Sequence, residues 1–227
     1  PGPIPPALDR TSLIGTYTML DCYASICAHQ AWHRYVLKDV PYQETPAMAW
    51  GNKVHTAFEQ RIAWGKPLPL DMAQWEPFAT PLDGRSVKVE QKLGLTAEGK
   101  PCGFFDQSVR FRVKIDAALV NGANAYMVDW KTGSSKYEDP FELEIGAMHL
   151  HALHTTLTKI VGQYAWLKEN RLGQPHDLSE TNRTWDKVNK LLVRMEAAKK
   201  SGDWPKRESP LCAWCDVLSC EYNKRPA

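Results

Sequence analysis

The chain predicts an α/β domain whose mixed central β-sheet is flanked by helices, and three observations predict it. Apolar residues recur at helical spacing toward both ends, the period drops to two between residues 86 and 131, and a further helix and strand follow that stretch. At 227 residues, 43% of them hydrophobic, the chain is long enough to bury a sizeable core as one domain. The expected layout is an extended lead-in over 1–10 and a single domain over 11–227. Within it lie N-terminal helices (11–65), a sheet with its helices (86–200) and a cysteine-rich tail (208–222).

The lead-in opens Pro1-Gly2-Pro3-Ile4-Pro5-Pro6, which favours extended backbone. Thr11 to Leu37 predicts a helix, with Leu13, Tyr17, Leu20, Ala24, Cys27 and Ala31 on one stripe. A second helix runs from Thr45 to Trp64. Thr45-Pro46 supplies a cap and a first-turn proline, Gly65 the stop, and Val54, Phe58 and Ile62 the apolar line. His55 and Glu59, four apart, share one face of it.

Strands follow. In Ser86–Leu95, Val87, Val89, Leu93 and Leu95 alternate with Lys88, Glu90 and Lys92. In Ser108–Val120, the apolar set Val109, Phe111, Val113, Ile115, Ala117 and Leu119 alternates with Arg110, Arg112, Lys114 and Asp116. Asn121-Gly122 is a turn signal, and Tyr126–Lys131 forms a third strand that should pair antiparallel with the second. A polar loop (Thr132–Pro140) leads to a helix over Phe141–Leu157, then a strand over Lys159–Leu167. A long helix spans 183–200, with Trp185, Val188, Leu191, Leu192 and Met195 inward.

A formal net charge of +2 does not announce a nucleic-acid partner. Its distribution says more: from Arg183 to Arg207 eight basic residues stand against three acids. That stretch is either a phosphate-facing surface or a solvated helix face. No apolar run reaches the roughly 18 residues that cross a bilayer and no signal-peptide pattern opens the chain, so no membrane is expected and the location is expected to be cytoplasmic. Three of six cysteines, Cys212, Cys215 and Cys220, crowd into the tail, which suits a metal or cluster site better than a disulfide framework. Such a site needs a fourth ligand, while Cys27, on its apolar stripe, also reads as an ordinary buried thiol. His149, His151 and His154 resemble a metal box only on paper: on a helix 149 and 151 point nearly opposite ways, so a structural role is expected. Of the nine tryptophans, Trp130 and Trp185 read as core, while Trp64, Trp75, Trp204 and Trp214 are unconstrained.

Asp116, Asp129 and Lys131 fall on the non-apolar side of their strands, and Glu90 shares that parity. Neighbouring carboxylates resist joint ionisation, and a divalent cation removes the conflict. Oxygen ligands with at most one imidazole suit magnesium or manganese. Lys131, two residues after Asp129, projects to the same side, where it can orient water and stabilise developing charge. The alternative is a solvated strand face.

Lys114-Ile115-Asp116 followed by Val128-Asp129-Trp130-Lys131-Thr132-Gly133 resembles the central motif of PD-(D/E)XK nucleases of the RecB-like branch. Trp50-Gly51-x3-His55-x3-Glu59 is similar to the histidine-bearing helix of that branch, and Cys27-x7-Tyr35-Val36-Leu37-Lys38 to its N-terminal helix. Leu211-Cys212-Ala213-Trp214-Cys215-x4-Cys220 resembles its closing element, so the likeness spans residues 11 to 222 in the family's order. It implies a restriction-endonuclease-like core and metal-assisted hydrolysis of DNA, more as an exonuclease at linear ends than an endonuclease, in recombination, repair or phage DNA metabolism. The cell would be bacterial or phage-infected. By the same likeness His55, Asp116, Asp129 and the Trp130 carbonyl hold Mg2+ or Mn2+, Lys131 is the catalytic lysine, Glu90 an auxiliary ligand and Glu59 a support. Cys27, Cys212, Cys215 and Cys220 correspond to the cysteines that hold a 4Fe–4S cluster in some relatives; zinc or plain packing are the other readings. Two departures stand out: Val113 replaces a glycine common in relatives, and Phe141-Glu142-Leu143-Glu144-Ile145-Gly146 replaces a Gln-x3-Tyr pattern thought to contact DNA. Rival functions are a non-catalytic, cysteine-stapled DNA-binding module and a metal-dependent nuclease acting on RNA.

Overall fold

The computed structural model describes residues 12–41 and 43–225, so the lead-in over 1–10 lies outside the described residues. The chain divides into two compact units, one formed by residues up to 43 together with 186–227 and one by residues 44–185.

In the first unit the expected single N-terminal helix is broken. Thr16 caps α1 (Tyr17–Asp21), a π-helical turn covers Cys22–Ile26, Cys27 is extended at φ −162°, and α2 (Ala28–Ala31) leads into a second π turn over Trp32–Leu37. Each π turn admits an extra residue, so the apolar stripe slips. Ala24, expected inside, is exposed, while Cys22 and Ala28 are buried in its place. The unit's two chain segments meet through Asp216: Gln30 Nε2 donates to its Oδ1 at 3.0 Å and Arg34 Nε to its Oδ2 at 2.7 Å.

The second unit begins with α3 (Pro46–Trp64), and here the local signals act as read. The Thr45 side chain accepts from Met48 N, Pro46 sits in the first turn, and Gly65 ends the helix at φ +67°. Short helical turns follow, including α4 (Glu76–Ala79). The sheet then forms from β1 (Val87–Leu95), β2 (Pro101–Cys102), β3 (Phe111–Asn121) and β4 (Asn124–Lys131), crosses through α5 (Phe141–Leu153) to β5 (Lys159–Trp166), and ends with β6 (Arg171–Leu172) and β7 (His176–Asp177). Strand order is β2-β1-β3-β4-β5-β6, with β7 also on β5. Every pairing is antiparallel except β4 with β5, whose connection through α5 makes them parallel. The hairpin between β3 and β4 turns at Gly122, φ +58°.

Two layers cover this sheet. Val54, Ala57 and Phe58 of α3, with Met72, Trp75 and Leu82, pack on Ala117, Val128, Trp130 and Ala165. Phe58 stacks on Trp130 with ring centroids 4.3 Å apart. On the other face α5 comes so close that a Cβ at Gly146 would collide with the end of Met127. His149 is buried there, donating from Nδ1 to the Ile145 carbonyl at 2.9 Å. Its burial lowers its pKa to about 4, so it is a neutral core histidine. The final helix, α6 (Thr181–Ser201), buries Thr184, Val188, Leu192, Met195 and Ala198 at helical spacing; Trp185 and Leu191, expected inside, are only half-buried.

Candidate metal centre at a fork in the sheet

The sheet is irregular at one place. The β1–β3 ladder pairs Val89 with Ala117 and Gln91 with Ile115 but leaves out Glu90 and Asp116, and the β3–β4 ladder starts only at Ala117 with Val128. Glu90 is left-handed, φ +49°, in the middle of its strand, a conformation that strains any residue but glycine. Beyond Ala117, β4 parts from β3 and stays with β5 through Lys131. A side chain fills the gap: Asp116 Oδ2 accepts from Trp130 N at 2.9 Å in place of a backbone carbonyl.

Alternation is regular up to this point and breaks after it: Ile115 lies toward Gly146 of α5 and Asp116 toward His55 of α3, but Ala117, next in line, packs on the α3 side as well. His55 Nδ1 is 3.1 Å from Asp116 Oδ1 and 3.5 Å from Glu90 Oε1. Among the described residues, His55, Glu90 and Asp116 form the group of metal-ligating side chains whose donor atoms all lie within 4.8 Å of one another. Lys114 Nζ closes the other oxygen of Glu90 at 2.6 Å. Glu59, one turn after His55, stands outside that trio, as does Asp129.

Asp129 instead meets Lys131, Oδ1 to Nζ 3.0 Å, and Lys131 reaches on to Glu142 of α5 at 2.5 Å. The Lys131 ammonium also lies 5.4 Å from the ring centre of Tyr164. Burial pushes the Asp129 carboxyl upward; Lys131 opposes this, and the Asp116 charge adds to it. For Lys131 burial works downward, but Asp129 and Glu142 outweigh it and keep the amine charged. His55 shows the same contest: burial disfavours its cation, yet the Asp116 and Glu90 carboxylates hold it at about 10. Glu90, against its own burial, is drawn down by His55 and Lys114.

Two buried polar atoms here, His55 Nδ1 and Asp129 Oδ1, lack an aligned hydrogen-bond partner despite the short distances to their charged neighbours. A cation accepts lone pairs from any direction that fits its shell, so these orphaned atoms and the hard donor set suit a divalent metal. Glu142 and Lys114 were not anticipated as members of the site. Glu142 had a visible signal, an acid in the first turn of the helix that follows Lys131, but nothing local to the sequence shows that α5 folds back over β4.

In the first unit, Cys27, Cys212, Cys215 and Cys220 line one cavity together with Gln30 and Tyr222. All six cysteines are free thiols. Cys27 is half-buried rather than packed away, and burial raises the Cys215 thiol. Of the unconstrained tryptophans, Trp75 and Trp204 are buried and Trp64 and Trp214 exposed. No helix among the described residues is long and apolar enough to cross a membrane.

No protein-family model matches this sequence, and no curated protein matches it either. Solved structures do share its fold. The protein SSO0001 aligns with a TM-score of 0.53 and 13% identity over 96% of this chain and 89% of its own. A protein from Eubacterium rectale, provisionally named an exonuclease, aligns with a TM-score of 0.53 and 11% identity, over 96% of this chain and 90% of its own. Fold and site together define an α/β protein with a candidate divalent-cation centre at a fork in a mixed sheet.

Proposed function

We propose that the chain is a magnesium- or manganese-dependent deoxyribonuclease of the PD-(D/E)XK superfamily, RecB-like branch, acting on linear DNA ends. The convergence of His55, Glu90 and Asp116 at the strand fork, with Asp129 and Lys131 alongside, carries this reading. The name of the Eubacterium rectale neighbour and the order of the sequence motifs support it.

His55, Asp116 and Glu90 would hold the cation, with Asp129 and the Trp130 carbonyl as further ligands. When bound, it supplies Lewis acidity toward a phosphate oxygen and lowers the pKa of water. Lys131, steadied by Asp129 and Glu142, stabilises the negative charge that builds on the phosphate in the transition state. His55, charged without a cation, gives up its proton to become a ligand, so loading releases protons. The exposed Arg183, Lys190, Arg194 and Lys200 of α6 offer phosphate contacts.

In the same reading Cys27, Cys212, Cys215 and Cys220 hold a 4Fe–4S cluster. Four free thiols on one cavity are a soft donor set that suits iron–sulfur or zinc and not magnesium.

Incubation with linear and circular, single- and double-stranded DNA, with magnesium and with chelator, tests the catalytic reading. Asp129→Ala and Lys131→Ala should each abolish cleavage and preserve the circular-dichroism spectrum. Cleavage persisting in both ends the mechanism, and cleavage of closed circles ends the exonuclease assignment. A brown preparation with visible absorbance and bound iron supports the cluster; a colourless one with bound zinc replaces it.

A further inference from the structure

The second unit carries an exposed aromatic platform at the turn that leads into β3, the strand that bears Asp116 of the candidate centre. Phe105 is 75% exposed, in the turn between β2 and β3. Its ring meets Phe104 edge-on at 5.0 Å, and the Arg112 guanidinium lies 5.2 Å from the centre of Phe104 and 5.5 Å from that of Phe105. The turn is anchored. Asp106 Oδ1 accepts from both Ser108 N and Ser108 Oγ, Arg110 N donates to the Leu95 carbonyl, and Val109 is buried.

Two features of this arrangement contribute little to folding. A phenylalanine three-quarters exposed buries little apolar surface. Arg112 Nε is buried without a hydrogen-bond partner, a cost the fold carries rather than a contact that stabilises it. Arg112, Lys114 and Asp116 alternate along β3, and Lys114 reaches Glu90 in the candidate centre. Arg112 therefore stands about 13 Å along the strand from Asp116, a few nucleotides from the reacting phosphate.

We infer that Phe105, backed by Phe104 and Arg112, is a stacking platform for an unpaired nucleobase, and that the chain therefore selects single-stranded DNA. A base offers a flat π-face to Phe105 and carbonyl or phosphate oxygens to the positive charge of the half-buried Arg112 guanidinium. A paired base presents no free face, so a duplex gains nothing here. The strand's identity as DNA rests on the nuclease reading; the stacking geometry does not.

The test is binding of a fluorescein-labelled oligothymidine, and of a duplex of equal length, to the full chain in chelator, followed by fluorescence anisotropy. Phe105→Ala should weaken oligothymidine binding by about five- to hundredfold, the range of one lost base stack. Phe105→Trp should keep the affinity, and duplex binding should not follow either change. Equal oligothymidine affinity in wild type and Phe105→Ala overturns the platform, as does equal loss for single strand and duplex. Failure of the wild type to bind oligothymidine at all overturns it too. Cleavage by the wild type in magnesium is scored separately. An inactive protein that still shows the Phe105-dependent affinity ends the nuclease reading and leaves the platform standing.

Discussion

The strand fork and the cysteine cavity are both clusters of potential ligands, but they are built in opposite ways. At the fork, oxygen and nitrogen donors come from α3, β1 and β3, elements locked by a sheet and a stacked Phe58–Trp130 pair. In the cavity, sulfur donors come from an extended residue between π turns and from short turns near the C-terminus, where Cys212 lies in a 3-10 turn. Ladders and core hold the fork; around the cavity the segments are joined by Asp216, by Arg207 donating to the Ser25 carbonyl, by His29 N donating to the Pro205 carbonyl and by the edge-on Tyr23–Trp204 pair. In the proposed reading, a cation at the fork would bind donors already held in place, whereas a ligand shared by the thiols would also order the turns that carry them.

The largest expected effect breaks the first half of that contrast. Asp116→Asn keeps an oxygen for the Trp130 N–H but removes the charge, so cleavage in magnesium should fall by more than about a hundredfold, beyond what loss of a merely supporting group costs. The melting temperature should stay within a few degrees. Unaltered cleavage removes Asp116 from the centre.

Cys212→Ser should act the other way round. It should lower the melting temperature by about 5 °C or more, bleach any visible absorbance, and leave the magnesium dependence of cleavage in place. Scanning calorimetry with iron analysis reads both, and an unchanged melting curve reduces the cavity to ordinary packing.

The histidine of the fork contrasts with the histidine of the α5 core. His55 is held charged by carboxylates, whereas His149, buried by α5, is held neutral with its pKa lowered from 6.5 to about 4. A depressed folded-state value makes the His149 contribution complete above pH 6.5, and it is lost as pH falls toward 4. The loss amounts to at most about 3 kcal/mol. Urea midpoints at pH 7 and pH 4.5 should therefore diverge less in His149→Phe than in wild type. An identical pH dependence in the two would show that His149 does not titrate in this window.

The smallest effect concerns Lys131. Glu142→Gln preserves length while removing one of its two carboxylate partners, and should lower kcat about tenfold with little change in KM. A change confined to KM would make Glu142 a substrate contact instead.

Much of the second unit was legible locally. The Thr45 cap, the Gly65 stop, the β3–β4 hairpin and the crossover helix follow from capping, turn and periodicity rules that act over a few residues. The N-terminal segment misled because a π turn leaves no trace in apolar spacing until the extra residue has shifted the stripe.

The chain's own order shows which residues could carry chemistry: alternation sets Asp129 and Lys131 on one side of a strand, and the thiols of the tail are close in number order. Which of them meet is a matter of the folded chain. Regular alternation would send Asp116 and Ala117 to opposite faces; instead both lie on the α3 side, beside the strained backbone at Glu90 and the point where β4 parts from β3, and α5 brings Glu142 onto Lys131. Such partners lie far apart in the chain, and the energies that join them come from packing a whole sheet, which no local pattern encodes.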